Sequence, residues 1–310
     1  MQRFLSTATI VGLLIATAAA FAITERLKLT KSPITGTRVS KTFSPTCGCA
    51  RGRANISVKL RRPDTVTVTV EDARRRPVRT LVAAESVPRG RTVFRWVGTT
   101  DAGTRAPDGV YLVQIHLDAQ HRTILLPNEI VLDTTPPEVE AATPNRAQFS
   151  PDGDRQSDAV SIGYTLSKPA HLLVVLDGTR IVRSHLHKAN GAFTWSGRAN
   201  GRLLPPGTYT LTLGGVDLAG NATPLARRAH VRVTLRYITL AARRIAGVAA
   251  GRRFDIGVST DAKGYRWTLG ARKGVAHGPD LTLRAPARPG NYRLTVSEHG
   301  HSDSAVVVVR

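Results

Sequence analysis

Trp96-Val97-Gly98, with Pro107-Asp108-Gly109-Val110-Tyr111 after it, returns 99 positions later as Trp195-Ser196-Gly197, with Pro205-Pro206-Gly207-Thr208-Tyr209 after it. Two further pairs keep a similar offset: Phe43-Ser44-Pro45 returns as Phe149-Ser150-Pro151, and Val78-Arg79-Thr80 as Val182-Arg183-Ser184. A fixed period of that size is one structural unit repeated. A looser third echo runs from Trp267 to Pro289-Gly290-Asn291-Tyr292.

Between these landmarks the period is two. Ile56, Val58 and Leu60 alternate with Ser57, Lys59 and Arg61, and Val66, Val68 and Val70 alternate with threonines. Val160, Ile162, Tyr164 and Leu166 repeat the pattern, as do Tyr209, Leu211 and Leu213. Such alternation puts apolar side chains on one face of a sheet and polar ones on the other, the signature of half-buried strands in sandwiches. Turn clusters such as Asp101-Ala102-Gly103 and Pro205-Pro206-Gly207 punctuate the runs. Nothing comparable after residue 24 repeats at 3.6. The expected fold is therefore all-β, a series of tandem β-sandwiches.

Within each unit the landmark residues have structural work to do. Trp96, Trp195 and Trp267 are expected to fill cores between sheets, where a large ring buries much area. Tyr111, Tyr209 and Tyr292 are expected to start a long strand facing inward, with Gly109 and Gly207 supplying a positive φ just before it.

The units are preceded by one N-terminal hydrophobic helix. Phe4 to Ile23 is uncharged and 20 residues long, enough to span a bilayer, while Ala20-Phe21-Ala22 has the small-x-small form of a cleavage site. Either fate delivers the rest of the chain across the membrane. The organisation expected is an anchor or signal over 1–24, a linker over 25–42, and modules over 43–137, 138–235 and 236–310. The connector Asp133-Thr134-Thr135-Pro136-Pro137 is held extended by its prolines.

The paired motifs resemble the immunoglobulin-like domain of the flagellar hook-capping protein FlgD, a module found in many bacterial surface and secreted proteins. Val78-Arg79-Thr80-Leu81, Trp96-Val97-Gly98 and Gly109-Val110-Tyr111 carry the likeness. The second copy keeps Trp195-Ser196-Gly197 and Gly207-Thr208-Tyr209 but has His185 where leucine is usual, and Asp217-Leu218-Ala219-Gly220-Asn221 looks like the ending of bacterial Ig-like repeats. The resemblance covers about residues 43–232. It implies tandem immunoglobulin-like β-sandwiches serving as spacer and binding units. The chain shows nothing else of a hook-capping protein, and the hydrophobic segment is one that a flagellar cap would not need.

The net charge of +22 comes from 44 basic and 22 acidic residues and is spread along the chain. A nucleic-acid surface would gather it into a stripe with aromatic platforms, so nucleic acid is not an expected partner. The excess is greatest over 233–310, where Arg243-Arg244 and Arg252-Arg253 offer contacts to an anionic wall polymer. Another surface protein is the remaining expected partner, beside the membrane itself. With aromatics at only 5%, a stacking platform for sugars is not favoured.

Three local clusters have chemical potential. Asp152, Asp154 and Asp158 lie within seven loop residues and could hold calcium through oxygen ligands; otherwise they cap turns. Cys47-Gly48-Cys49 takes the equivalent place in the first module and can close a local disulfide, stay reduced or bridge two chains, the local bridge being the first expectation. The two loops would then be braced differently, one by a cation and one by a disulfide. His185-Leu186-His187 and His299-Gly300-His301 each place two imidazoles on one strand face, toward solvent in the first pair. No nucleophile elbow, phosphate loop or His-Glu-x-x-His helix occurs, so no catalysis and no cofactor beyond possible calcium is expected. Function is expected to be extracytoplasmic and non-enzymatic. An accessory subunit for a secreted enzyme is the first alternative and a binder of anionic wall polymer the second.

Overall fold

The strands expected from the alternation all form. The computed structural model describes residues 11–21, 32–185 and 187–310, and the chain divides at Thr134–Thr135 into two compact units. Residues 11–21 are helical; the rest of the Phe4–Ile23 segment lies outside the described residues. Among the described residues no helix is long and apolar enough to cross a membrane.

The first unit is built from β1 (Ile34–Val39), β2 (Thr42–Phe43), β3 (Ala54–Leu60), β4 (Asp64–Asp72), β5 (Pro77–Val87), β6 (Gly90–Trp96), β7 (Gly109–Leu117), β8 (Arg122–Leu125) and β9 (Ile130–Leu132). One sheet has the order β1-β3-β6 and the other β2-β9-β7-β4-β5, with β8 beside β7. Ile56, Val58 and Leu60 from one sheet meet Val66, Val68, Val70 and Ile115 from the other in a fully buried core. The sandwich begins earlier than 43, because β1 pairs with β3 and Ile34 is buried. Residues 34–42 are therefore not linker. Gly36 and a register shift between Thr35 and Arg38 break the alternation that would have announced that strand.

The second unit holds two sandwiches. The first has β10 (Val139–Pro144), β11 (Gln148–Phe149), β12 (Val160–Leu176), β13 (Thr179–Arg183), β14 (Lys188–Trp195), β15 (Arg198–Ala199), β16 (Arg202–Leu203), β17 (Gly207–Val216) and β18 (Ala229–Leu235). Strand β12 serves both sheets: its first half lies between β10 and β14, its second between β17 and β13. The other sandwich has β19 (Thr239–Leu240), β20 (Arg244–Val248), β21 (Arg253–Ser259), β22 (Tyr265–Leu269), β23 (Arg272–Ala276), β24 (Asp280–Arg284), β25 (Gly290–Glu298) and β26 (His301–Val309). Its sheets are β19-β21-β24 and β20-β26-β25-β22-β23.

All three sandwiches share one plan. A short segment runs parallel to the last strand each time: β2 beside β9, β11 beside β18 and β20 beside β26. The tyrosine landmark keeps its role throughout, its hydroxyl donating to the carbonyl four residues back: Tyr111 to Pro107 (2.6 Å), Tyr209 to Pro205 (2.5 Å) and Tyr292 to Arg288 (3.0 Å). Tyr111 is buried, while Tyr209 and Tyr292 are half-buried at the core's edge.

The tryptophan landmark holds only twice. Trp96 and Trp195 end β6 and β14, are 1% and 4% exposed, and donate Nε1–H to Thr99 and Arg198 carbonyls at 2.9 Å. In the third sandwich that place falls to the buried Ala285, just past β24. Trp267 instead sits mid-β22 in the opposite sheet, half-buried over Gly274. The positive φ also falls elsewhere than expected. Gly109 and Gly207 are ordinary strand starts, whereas Gly98 (φ 78°) and Gly197 (φ 71°) turn the chain under the core. A Cβ at Gly197 would stand 2.7 Å from Leu235. The Trp-x-Gly spacing thus encodes a ring and the tight turn it covers.

No linker separates the two sandwiches of the second unit. Tyr237 belongs to the core of one and its neighbour Ile238 to the core of the other.

Candidate functional site: an acidic junction in the second unit

The loop after β11 begins like its counterpart in the first unit. Ser150 N–H donates to Ser157 C=O at 3.0 Å, as Ser44 N–H does to Arg51 C=O at 3.0 Å, and the phenylalanine ahead of each is buried. Within the loop Asp158 is consumed by backbone: its two oxygens accept the Gly153 and Arg155 N–H groups at 2.7 and 2.9 Å. Asp154 accepts from Gln156 N–H at 2.6 Å, and Asp152 from Asp154 N–H at 3.1 Å. The expected trio of Asp152, Asp154 and Asp158 is therefore not assembled. Asp158 caps the turn, while the Asp152 carboxylate points inward with its side chain 0% exposed.

Asp152 meets residues of the third sandwich. Asp261, from the loop between β21 and β22, and Glu298, the last residue of β25, each bring a carboxylate oxygen within 4.8 Å of one on Asp152 and of each other. A second group shares Asp152 with Asp154 and His299, on the same distance limit. Glu298 is 7% exposed, and its Oε1 is buried without a hydrogen-bond partner while Oε2 accepts from the Thr260 hydroxyl. Neither buried oxygen of Asp261 reaches hydrogen-bonding geometry; the nearby Ser150 hydroxyl donates to Asp152 instead, at 3.4 Å. Among the described residues no arginine or lysine pairs with these carboxylates, while His299 brings Nδ1 to 3.9 Å from Asp152. Two full charges about 4.8 Å apart repel by roughly 3–4 kcal/mol at an effective dielectric near 20. The junction concentrates negative charge and does little inside the chain to offset it.

Burial pushes the Asp261 carboxyl above its ordinary range, against its own N–H, and the charges of Asp152 and Asp154 add to the rise. Burial likewise raises Glu298, opposed by the Thr260 hydroxyl and reinforced by Asp152 and Asp261, with His299 acting the other way. Both groups hold protons more tightly folded than unfolded, so their stabilising contribution is complete below about pH 4 and is lost as pH rises through the raised values. Asp303 in the same unit moves oppositely. Burial alone would raise it, but bonds from Leu240 N–H, Arg243 and Ser304 N–H hold it low, so its contribution is complete above its ordinary value. Without divalent ions, the second unit is expected to lose stability as pH rises above about 4 through the raised values of Asp261 and Glu298. Denaturant titrations across that range check the slope, which Glu298→Gln should flatten.

The matching loop of the first unit carries no such acids. Cys47 and Cys49 are joined there as a local disulfide with Cα atoms 5.2 Å apart. That unit also holds Val78-Arg79 in β5, where Asp101 accepts from Thr80 N–H at 3.0 Å and donates its own N–H to Val78 at 2.9 Å. These are the motif positions noted in the sequence, now in one sandwich with Trp96, Gly98 and Tyr111. Residues 44–120 match the FlgD Ig-like domain.

No curated protein matches the chain in sequence. Solved structures similar to it include titin domains I67–I69 in an E-to-A variant, at 12% identity and TM-score 0.32, over 90% of this chain and 99% of that one. Another is SGBP-B of the Bacteroides ovatus mixed-linkage glucan utilization locus in complex with a mixed-linkage heptasaccharide, at 14% identity and TM-score 0.23, over 89% and 71%. Sidekick-1 immunoglobulin domains 1–5 align at 12% identity and TM-score 0.28, over 90% and 59%.

Beyond the FlgD Ig-like domain, the histidine pairs depart from the expected geometry. His299-Gly300 is the two-residue turn between β25 and β26, with φ of 37° and 84°, the positive pair a tight hairpin needs. His299 and His301 therefore share no strand face. His299 reaches Asp152, and His301 stacks on Tyr237 with ring centroids 3.4 Å apart. His185 is exposed, but His187 lies against His171 at 3.6 Å and not toward solvent; Leu186 between them lies outside the described residues.

Of the arginines picked out in the third sandwich, Arg243 pairs with Asp303. Arg252 and Arg253 line a groove with Arg272 and Arg284. Arg253 and Arg284 are cross-strand partners. Sequence distance hid this clustering, which the β21–β24 register and the bond from Arg272 to Arg284 C=O create.

Proposed function

We propose that this chain is a non-enzymatic, extracytoplasmic surface protein whose Ig-like modules act as spacer and binding units. The Phe4–Ile23 segment either tethers it in the cell membrane or is removed beyond Ala22. The observation that carries the reading is where the landmark residues spend their polar groups. Trp96, Trp195, Tyr111, Tyr209 and Tyr292 all bond to backbone carbonyls of their own sandwich, which is the use expected of a scaffold and not of a reaction centre. Fractionation of the native host, with mass spectrometry of the mature N-terminus, tests it. An intact Phe4–Ile23 segment in the membrane fraction, with modules open to external protease, supports the tethered form. A chain beginning near Ile23 in the medium or wall supports the released form. A chain confined to the cytoplasm overturns the proposal.

A second reading is favoured by the groove of Arg252, Arg253, Arg272 and Arg284: binding of an anionic wall polymer. Paired guanidinium groups suit phosphate or carboxylate chains, and retention on isolated wall material should weaken as salt rises. Retention unchanged by salt would remove it.

A further inference from the structure

We propose that Asp152, Asp261 and Glu298, with Asp154 alongside, bind one calcium ion between the second and third modules and so lock the two sandwiches of the second unit together. The donors come from three separate segments. Asp152 and Asp154 belong to the loop after β11, Asp261 to the loop between β21 and β22, and Glu298 to the end of β25. Acidic clusters are common; this one adds Glu298, more than nine-tenths buried, which brings a carboxylate oxygen within 4.8 Å of the others and whose Oε1 has no hydrogen-bond partner. A buried carboxylate oxygen that accepts nothing is costly to keep unless something outside the chain completes it.

The spacing suits calcium. Calcium–oxygen distances of about 2.3–2.6 Å place ligands on opposite sides of the ion about 4.6–5.2 Å apart, a span that admits such a cluster, and calcium gives up its water more readily than magnesium. The donor oxygens here lie within 4.8 Å of one another. All three ligands of the central group are carboxylates, the hard donors calcium prefers. A groove bordered by Asp154, Lys263 and His299 offers access for the ion and for water to complete its shell. Two charges on the ion would offset most of the three on the central carboxylates, removing the repulsion that otherwise works against closing the junction. The inference stands apart from the surface role, since an intracellular protein with these donors would bind the same ion.

The full chain is titrated with calcium chloride by calorimetry and melted in calcium or in chelator. One ion should bind with a Kd of about 0.1–1 mM, the range of extracellular modules, and raise the melting temperature of the second unit by about 5 °C at several millimolar. Glu298→Gln and Asp261→Asn should each abolish that shift. Both should melt in chelator at or above the parent temperature, because each removes a repelling charge. Asp158→Asn, which loosens only the turn, should melt lower in both buffers and keep the shift. Three results overturn the proposal: no calcium heat up to 10-fold above that range, a shift that survives in both carboxylate variants, or a shift lost in Asp158→Asn alone. Tighter binding of zinc than of calcium, abolished by His299→Ala, would also overturn it by assigning the ion to the Asp152, Asp154 and His299 group.

Discussion

Trp195→Ala is expected to destabilise the second unit by about 3–5 kcal/mol, the usual cost of emptying a buried tryptophan site. The ring is 4% exposed and packs against Phe149 at 5.5 Å and Tyr209 at 5.8 Å. Its loss also leaves Arg198 C=O without the indole N–H. Tyr237 lies in the same core, and Ile238 beside it lies in the core of the third sandwich, so the damage is expected to reach both sandwiches. For a unit of this size each kcal/mol moves the midpoint by about 2–4 °C, giving a fall of roughly 10 °C. Calorimetry of the full chain should show that unit's transition moving as a single peak. The transition of the first unit, whose core contains none of these residues, should stay in place. A variant in which the third sandwich melts separately at its original temperature would disprove the coupling through Tyr237 and Ile238.

Trp195 illustrates what local sequence carries well. Period-two alternation decides which face of β12 or β17 is buried, and a tryptophan two residues before a glycine decides where the chain must turn beneath it. Both signals are short-range. The third sandwich keeps the sheet order and the tyrosine bond but puts Ala285 where the tryptophan would stand, and Tyr265 is buried deep in its core. A motif search then fastens on Trp267, which has the right residue type in the wrong sheet. Core volume can be supplied from either sheet, so a landmark residue can move while the topology does not.

The acidic junction was half visible for a similar reason. Asp152 and Asp154 stand out because they share a loop, and the same proximity suggests Asp158. A loop of that length has backbone N–H groups to satisfy, and Asp158 serves two of them. The partners that replace it, Asp261 and Glu298, are more than 100 positions away. They arrive through the pairing of β22 with β25 and the direct join at Tyr237–Ile238. His299 and His301 mislead in the same way: spacing suggests one strand face, but Gly300 makes a hairpin tip and sends the rings to Asp152 and Tyr237. Signals that depend on which strands pair cannot be read from spacing alone.

Asp217→Ala should be nearly as damaging as the tryptophan change, for an electrostatic and not a volumetric reason. Asp217 is 2% exposed. Its Oδ1 accepts from Asn221 N–H at 2.8 Å, and its Oδ2 from Asn221 Nδ2 at 2.9 Å and Lys168 Nζ at 2.8 Å. Removing the carboxylate takes the counter-charge from Lys168 and an acceptor from a buried amide. Breaking one side of a buried pair costs about 3–5 kcal/mol; with the Lys168 side chain 23% exposed, solvent recovers part of that, leaving about 2–4 kcal/mol. The next residues extend the consequence. Thr223 donates its hydroxyl to Pro137 C=O at 2.7 Å and accepts from Gly215 N–H at 2.8 Å, so the Asp217–Thr223 turn holds the first residues of the unit against β17. Hydrogen exchange at Gly215 and Thr223 should quicken in Asp217→Ala along with the loss of stability. Asp217→Asn, which keeps one acceptor oxygen for Asn221 but loses the charge and the second acceptor, should fall between the parent and the alanine variant. If the asparagine variant is as unstable as the alanine one, the turn depends on the full carboxylate, both its charge toward Lys168 and its second acceptor oxygen. If it matches the parent, the turn is held by its hydrogen bonds, and the motif is a backbone clamp with an incidental charge.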